Sequence, residues 1–355
     1  MISRKIFAAF AGISLLTIAT TASAAPFYTI DFLPTGFQGA RLNDAGQVVG
    51  TAGDAAALYS GGVVTGMATS PSAGFGINNH GDITGTLGDF YIAEAFTSVG
   101  GVFTNLDPLI EGGTVVSHGV AINDHGVVGG NIFRSGENTR GFILRDGVVE
   151  QIGTFGGEFS PLEAINKYGA ATGYAAFPGS MADTYFHAYI YQNGTLQDLG
   201  TFGEADSWGT DINDLGQVSG HAGNIPFLYS GGSLIDLGGL GSYGGSATAL
   251  NNAGVVVGSS ASPLTPGGTG NHAFVYADGV MTDLNTLVAP LAGWELTIAS
   301  DINNAGQILG TACRDGSCAS VLLTAVPEPS AGLMLLAGLG ALAPLTSRRR
   351  RQKAA

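Results

Sequence analysis

An Asn followed three residues later by a Gly recurs through this chain at Asn43, Asn78, Asn123, Asn166, Asn213, Asn251 and Asn303, with Gly46, Gly81, Gly126, Gly169, Gly216, Gly254 and Gly306. Six intervals cover 260 residues, a mean near 43. That spacing falls in the ~40–50 residue range of propeller blades, and solenoid rungs are generally shorter. A period of this kind constrains the fold more than any local propensity, because each unit must bury its apolar surface against its neighbours. Composition agrees: 58 Gly, 11% charged and 45% hydrophobic residues among 355 describe many short strands joined by tight turns.

Each copy has the same internal order. An apolar strand ends in Ile/Leu-Asn, the turn follows, and then a Val-x-Gly strand as in Val48-Val49-Gly50. After a variable stretch comes an aromatic strand, clearest in His272-Ala273-Phe274-Val275-Tyr276 and His187-Ala188-Tyr189-Ile190-Tyr191. A Gly turn leads to a fourth strand ending in Asp-Leu, as at Asp198-Leu199, Asp236-Leu237 and Asp283-Leu284. Four short antiparallel strands make one blade, so the expected fold is all-β, a seven-bladed β-propeller over residues 25–326. On the His-Ala-Phe triplet the region resembles the extracellular HAF repeats, although most copies depart from the full triplet. The seventh copy lacks a fourth strand, and Phe27-Tyr28-Thr29-Ile30-Asp31-Phe32 precedes the first copy. The N-terminal strand is therefore expected to complete the last blade and hide both edges. Cys313 and Cys318 flank a Gly turn in that blade and are the only cysteines, which predicts a disulfide-stapled hairpin in an exported protein.

The ends carry delivery signals. Arg4-Lys5, the apolar run Ile6 to Ala19 and Ala22-Ser23-Ala24 read as a secretory signal peptide over residues 1–24, cleaved after Ala24. At the other end Pro327-Glu328-Pro329 precedes the apolar stretch Ala331 to Leu345 and Arg348 to Arg351. Residues 327–355 thus form a motif, a hydrophobic helix expected to cross the membrane, and a positive stop that holds this end in the cytoplasm. The tail resembles the PEP-CTERM sorting signal of bacteria with outer membranes. That resemblance implies an exosortase-type sorting enzyme as partner, transient anchoring in the inner membrane, cutting near the triplet, and release to the cell surface or extracellular matrix.

Between the signals the body holds 6 basic against 26 acidic residues, a net charge of −20 that repels nucleic acid and anionic lipid. In an up-and-down meander the tight first-to-second and third-to-fourth turns share one face. The other receives the second-to-third and inter-blade connections, expected to be long. Trp208 and Trp294, with Phe159 and Tyr243 in matching stretches, are the candidate ligand-binding residues there. Aromatic rings on a polar rim suit stacking on sugar faces while nearby carboxylates and amides take hydroxyl hydrogen bonds; the competing role is to plug gaps between blades. The Asn-Asp and Asn-Asn pairs lack the alternating carboxylates of a calcium loop, and before Gly they are ordinary hairpin chemistry. A ring of Asp31, Asp198, Asp236 and Asp283 is explained equally by hydrogen bonding at strand ends. The six histidines, His80, His118, His125, His187, His221 and His272, have no metal-ligand spacing or adjacent nucleophile. No catalytic residue, metal or cofactor is assigned. Arg140, Glu163, Asp183, Tyr185 and Asp206 are non-repeating polar residues that an enzyme would draw on. The expected function is a non-enzymatic surface or matrix protein, with exopolysaccharide or another envelope component as possible ligand; the alternatives are a secreted polysaccharide lyase or hydrolase, or a structural matrix filler.

Overall fold

The computed structural model describes residues 27–326 apart from 68–69, 89–91, 111–115, 134–137, 180–184, 242–243 and 263–269. The expected signal peptide, the Pro327-Glu328-Pro329 motif with its hydrophobic helix, Asp183 and Tyr243 lie outside the described residues. Among the described residues no helix is long and apolar enough to cross a membrane.

Seven four-stranded antiparallel sheets follow one another along the chain. Blade 1 covers 37–66, blade 2 72–105, blade 3 116–151, blade 4 162–198, blade 5 207–236, blade 6 245–283, and blade 7 295–325 together with the N-terminal strand Tyr28–Phe32. The innermost strand of each blade is its first, and these strands touch in an unbroken circle that includes the contact between blades 7 and 1. Two short 3-10 turns, Asp107–Leu109 and Leu284–Thr286, are the only helical elements among the described residues.

The repeat's motifs are packing rules. The aromatic of the third strand, Phe96, Phe142, Tyr189, Phe227 or Phe274, is 0% exposed, and it lies over the Gly of the second strand. A Cβ at Gly130 would stand 2.3 Å from the His118 carbonyl oxygen and 2.5 Å from the Phe142 ring. The Val-x-Gly strand therefore needs Gly to admit the ring, and burying one such aromatic side chain contributes about 1.5–3 kcal/mol. The small residue before the aromatic, or before Ala57 where blade 1 replaces it, touches the next blade: the amides of Ala56, Ala95 and Ala188 donate to Ser72 Oγ, Ser117 Oγ and Ser207 Oγ at the start of the next blade's first strand. The His of the triplet reaches the fourth strand, His187 Nδ1 to Asp198 at 2.9 Å and His272 Nδ1 to Asp283 at 2.6 Å. In blade 2 the polarity is exchanged, with Asn105 Nδ2 donating to Glu94 Oε2 at 2.7 Å. The Asp residues of the fourth strands are thus hydrogen-bonded inside their own blades rather than joined in a charged ring.

Closure runs as expected through the N-terminal strand, which pairs Tyr28 with Ala325 through to Phe32 with Val321. The register puts Phe32, not Asp31, at the place of the fourth-strand Asp: Phe32 faces Val321 as Asp198 faces Tyr189, and the Leu33 amide bonds Ser320 O as that of Leu199 bonds Ala188 O. Asp31 therefore lies outside the Asp set. Cys313 and Cys318 pair directly across their hairpin and form a disulfide. That hairpin joins the second and third strands of blade 7, and blades 1 and 5 also make this connection by two residues, between Ala52 and Ala55 and between Ala222 and Ile225. The expectation of long second-to-third loops holds only for the other four blades. Trp294 fills the closing blade, edge-on to Phe32 at 5.1 Å and beneath the Arg314 guanidinium at 4.9 Å.

Candidate functional site

The two ends of the central channel are built differently. At the end carrying the first-to-second turns, each repeat Asn is buried and uses both the oxygen and the nitrogen of its amide. Asn213 Oδ1 accepts from the amides of Leu215 and Gln217, both at 3.0 Å, while its Nδ2 donates to Asn251 O at 3.0 Å in the next blade. The same cross-blade bond runs from Asn43 to Asn78, Asn78 to Asn123, Asn123 to Asn166, Asn166 to Asn213, Asn251 to Asn303 and Asn303 back to Asn43. Only Asn can serve, because Asp lacks the donor, and a longer amide would misplace the acceptor from its own turn. The Gly of each turn sits at φ between 72° and 81°, the left-handed region that closes the turn.

A second circle overlies the first. The amides of Asp44, Asn79, Lys167, Asp214, Asn252 and Asn304 each donate to the side-chain oxygen of the next blade's second turn residue, at 2.7–3.1 Å. It breaks between Asp124 and Lys167, where lysine offers no acceptor. There Asn123 Nδ2 and His125 Nδ1 reach Lys167 O, and Lys167 Nζ lies 3.4 Å from Asp214. This mouth encloses about 210 Å³.

Deeper in the channel, the position two residues before the repeat Asn carries Arg41, Asp211 and Asp301 in three blades. Asp301 clamps blade 7 to blade 1, its oxygens accepting from Leu42 N at 2.7 Å and Ile302 N at 2.9 Å. Asp211 does the same between blades 5 and 6 through Leu250 N and Ile212 N, at 3.0 and 2.9 Å. Burial pushes the Asp301 carboxyl up to about 6, with Asp211 adding to the rise and Arg41 and the two amides offsetting part of it. Burial likewise raises Asp211 and Glu163 against the pull of Arg41. Burial opposes the charge on Arg41, but Asp301, Asp211 and Glu163 outweigh it and hold the proton more firmly.

Toward the long-loop face a cavity of about 340 Å³ opens, lined by Ala40, Arg41, Phe75, His118, Val120, Asn131, Phe133 and Glu163. His118 Nδ1 is 2.9 Å from Thr86 Oγ1, and burial holds its imidazole below the ordinary range. Asn131 spans to blade 4, donating to Leu162 O and accepting from Leu162 N. Next to Glu163, whose charge contributes to raising the Tyr174 hydroxyl after burial itself, runs a chain of rings. Phe159 meets Phe186 at 6.0 Å, Phe186 meets Tyr174 at 5.6 Å, Tyr174 meets Trp208 at 6.2 Å, and Trp208 stacks on His221 at 4.9 Å.

Of the sequence candidates, Trp208 and Phe159 join this aromatic chain, while Trp294 belongs to the closing blade. Trp208 lies within the first strand Ser207–Ile212 of blade 5 rather than in a connection. Glu163 reaches the cavity; Arg140 lies in the third strand of blade 3, Asp206 accepts from Phe186 N at 2.8 Å, and Tyr185 is exposed beside that loop. Arg41, Tyr174, Phe75 and Phe133 carry no sequence motif of a site, and His118 is seen in the sequence only as one of six histidines without a metal-ligand spacing. The available signal was position: each departs from the repeat at a site where other blades carry small or unlike residues. Among the described residues, no group of three or more His, Cys, Asp or Glu is placed to hold a metal ion.

Residues 325–351 match the PEP-CTERM protein-sorting motif. No curated protein matches the sequence. Among solved structures, the β-propeller domain of the Trilobed protease from Pyrococcus furiosus is similar at 10% identity, over 85% of this chain and 86% of that one, with a TM-score of 0.41. The Trypanosoma rangeli sialidase in complex with sialic acid is similar at 12% identity, over 84% of this chain and 46% of that one, with a TM-score of 0.25. The chain is a seven-bladed propeller with a C-terminal PEP-CTERM sorting motif, a signal that implies export, membrane processing and a place at the cell surface.

Proposed function

We propose that this is a non-enzymatic cell-surface or matrix protein that binds exopolysaccharide or another envelope glycan on its long-loop face. The observation that carries the reading is the chain of rings from Phe159 to His221 beside the Glu163 carboxylate, an apolar stacking surface against a polar edge. The resemblance to extracellular HAF repeats and the sorting motif, which calls for an exosortase-type enzyme as processing partner, support a role at the cell surface, where such a surface could meet a glycan. The test is binding of the secreted protein to the exopolysaccharide of the producing bacterium. Trp208→Ala should weaken it about tenfold, the loss expected of one stacked ring, with Trp294→Ala lowering Tm but not affinity. Unchanged affinity in Trp208→Ala would overturn the reading. A second reading, a polysaccharide lyase or hydrolase, is favoured by the raised Glu163 carboxyl facing a cavity; release of reducing or unsaturated ends by the protein, abolished in Glu163→Gln, would establish it.

A further inference from the structure

Two charged groups in the channel are left unspent. Among the described residues Glu163 makes no hydrogen bond or ion pair, and Arg41 makes only one long contact, Nη1 to its neighbour's carbonyl Ala40 O at 3.5 Å. Everything around them is committed: both oxygens of Asp211 and Asp301 to backbone amides, the Asn131 amide to Leu162, and His118 Nδ1 to Thr86. Arg41 and Glu163 are only partly buried, and their polar atoms are reached from the channel, so they present donors and acceptors side by side to whatever fills the cavity. Both groups line the cavity of about 340 Å³, whose rim carries Phe75 and Phe133 at 38% and 36% exposure.

We propose that this axial cavity is a binding site for a single uncharged sugar residue at the end of a glycan chain, a proposal that rests on the glycan-binding reading above and names its innermost subsite. Hydroxyl groups can donate to the Glu163 carboxylate and accept from Arg41 at once, which satisfies both without adding charge. Charge selects against the alternatives. Arg41 is already opposed by Glu163, Asp211 and Asp301, so a carboxylate on the ligand meets three like charges, and an ammonium has to compete with Arg41 for carboxylates whose oxygens, in Asp211 and Asp301, are already taken by backbone amides. Phe75 and Phe133 give the C–H face of a sugar ring something to pack on. The volume lies at the low end of the ~300–1,000 Å³ typical of small-molecule sites, which suits one ring rather than a run of them.

Calorimetric titration of the secreted protein with methyl glycosides of neutral hexoses, of glucuronic acid and of glucosamine tests this. The neutral glycosides should bind saturably and more tightly than either charged sugar. Glu163→Gln and Phe133→Ala should each weaken them about tenfold, the worth of one charge-assisted hydrogen bond or one stacked ring, while Trp208→Ala leaves them unchanged. Glu163→Gln breaks no hydrogen bond, so its fold is expected to survive, and an unshifted Tm checks that. Tighter binding of glucuronic acid or glucosamine, or full neutral-sugar affinity in both cavity variants, overturns the proposal. If polymer binding falls with Trp208→Ala yet no monosaccharide binds, the surface reading stands and the axial subsite falls; if neither polymer nor monosaccharide binds, both fall.

Discussion

The mouth that carries the Asn turns repeats seven times with every repeat amide spent, whereas the mouth at the other end of the same channel shares almost nothing from blade to blade. At the first, Asn43 and Asn303 are equivalent though 260 residues apart in sequence, and Asn303 Nδ2 closes the circle on Asn43 O at 2.9 Å. At the second, the corresponding positions hold His118, Trp208, Ser246 and Ile298 in four blades. Repetition marks the end that holds the ring together, because each blade must offer its neighbour the same donor and acceptor. Departure from the repeat marks the end free to specialise.

The sharpest way to break this comparison is to disturb one residue at each mouth. Asn213→Asp removes the Nδ2 that donates to Asn251 O and to Gln217 Oε1 at 2.7 Å, and sets a carboxylate oxygen against two acceptors. A buried acceptor pair left facing a charge should cost about 3 kcal/mol or more in denaturant unfolding. Glu163→Gln at the other mouth should cost less than about 0.5 kcal/mol, since no hydrogen bond is lost and burial already disfavours the charged carboxylate. Equal losses would mean that the Asn circle is no more structural than the open cavity.

The same contrast explains what could be read from the chain beforehand. Blade number, strand order, closure by Tyr28–Phe32 and the Cys313–Cys318 hairpin are all local patterns multiplied by a period, and a period survives errors in any one copy. The role of Asn was hidden because a side chain that serves its own Asx turn looks the same in sequence whether or not its amide crosses to the next blade. Arg41, Asp211 and Asp301 lie 90 to 260 residues apart, and only the ring geometry brings them to one channel. Phe75 and Phe133 carried no motif: the bulge in the first strand of blade 2, where the register shifts between Gly74 and Gly76, is what turns Phe75 toward the channel, and Phe133 reaches the same cavity from the end of the second strand of blade 3.

The middle of the channel joins the two regimes, and pH probes it. Asp301 is held at about 6 against an ordinary 3.8, so the stability it contributes is fully present below about 3.8 and lost as pH rises through about 6. Asp211 and Glu163 act in the same direction. His118 and His221, both held low by burial, oppose them, because their contribution is present above about 6.5 and is lost as pH falls. Comparison with Asp301→Asn isolates the carboxyl. Between pH 7.5 and pH 5 wild type should gain about 1 kcal/mol on the variant. Parallel stability curves would show that Asp301 titrates normally and that the clamp on Leu42 N is not desolvated.

The smallest effect is expected where the ordered mouth departs from its own rule. Lys167 interrupts the second circle, since the Asp124 amide finds no side-chain oxygen in the next blade, while Asn79 in the equivalent place both accepts from Asp44 N and donates to Asp44 and Asp124. Lys167→Asn supplies that acceptor and a donor facing Asp214, at the loss of a solvent-exposed ion pair that holds little of the fold together. Completing the circle should raise Tm by about 2 °C, the shift expected of one added hydrogen bond in a domain of this size. A fall in Tm would show that Lys167 is instead a selected element of this mouth, kept to offset the charge of Asp44, Asp124 and Asp214, and the division between a structural end and a specialised end would have to be redrawn through the Asn face itself.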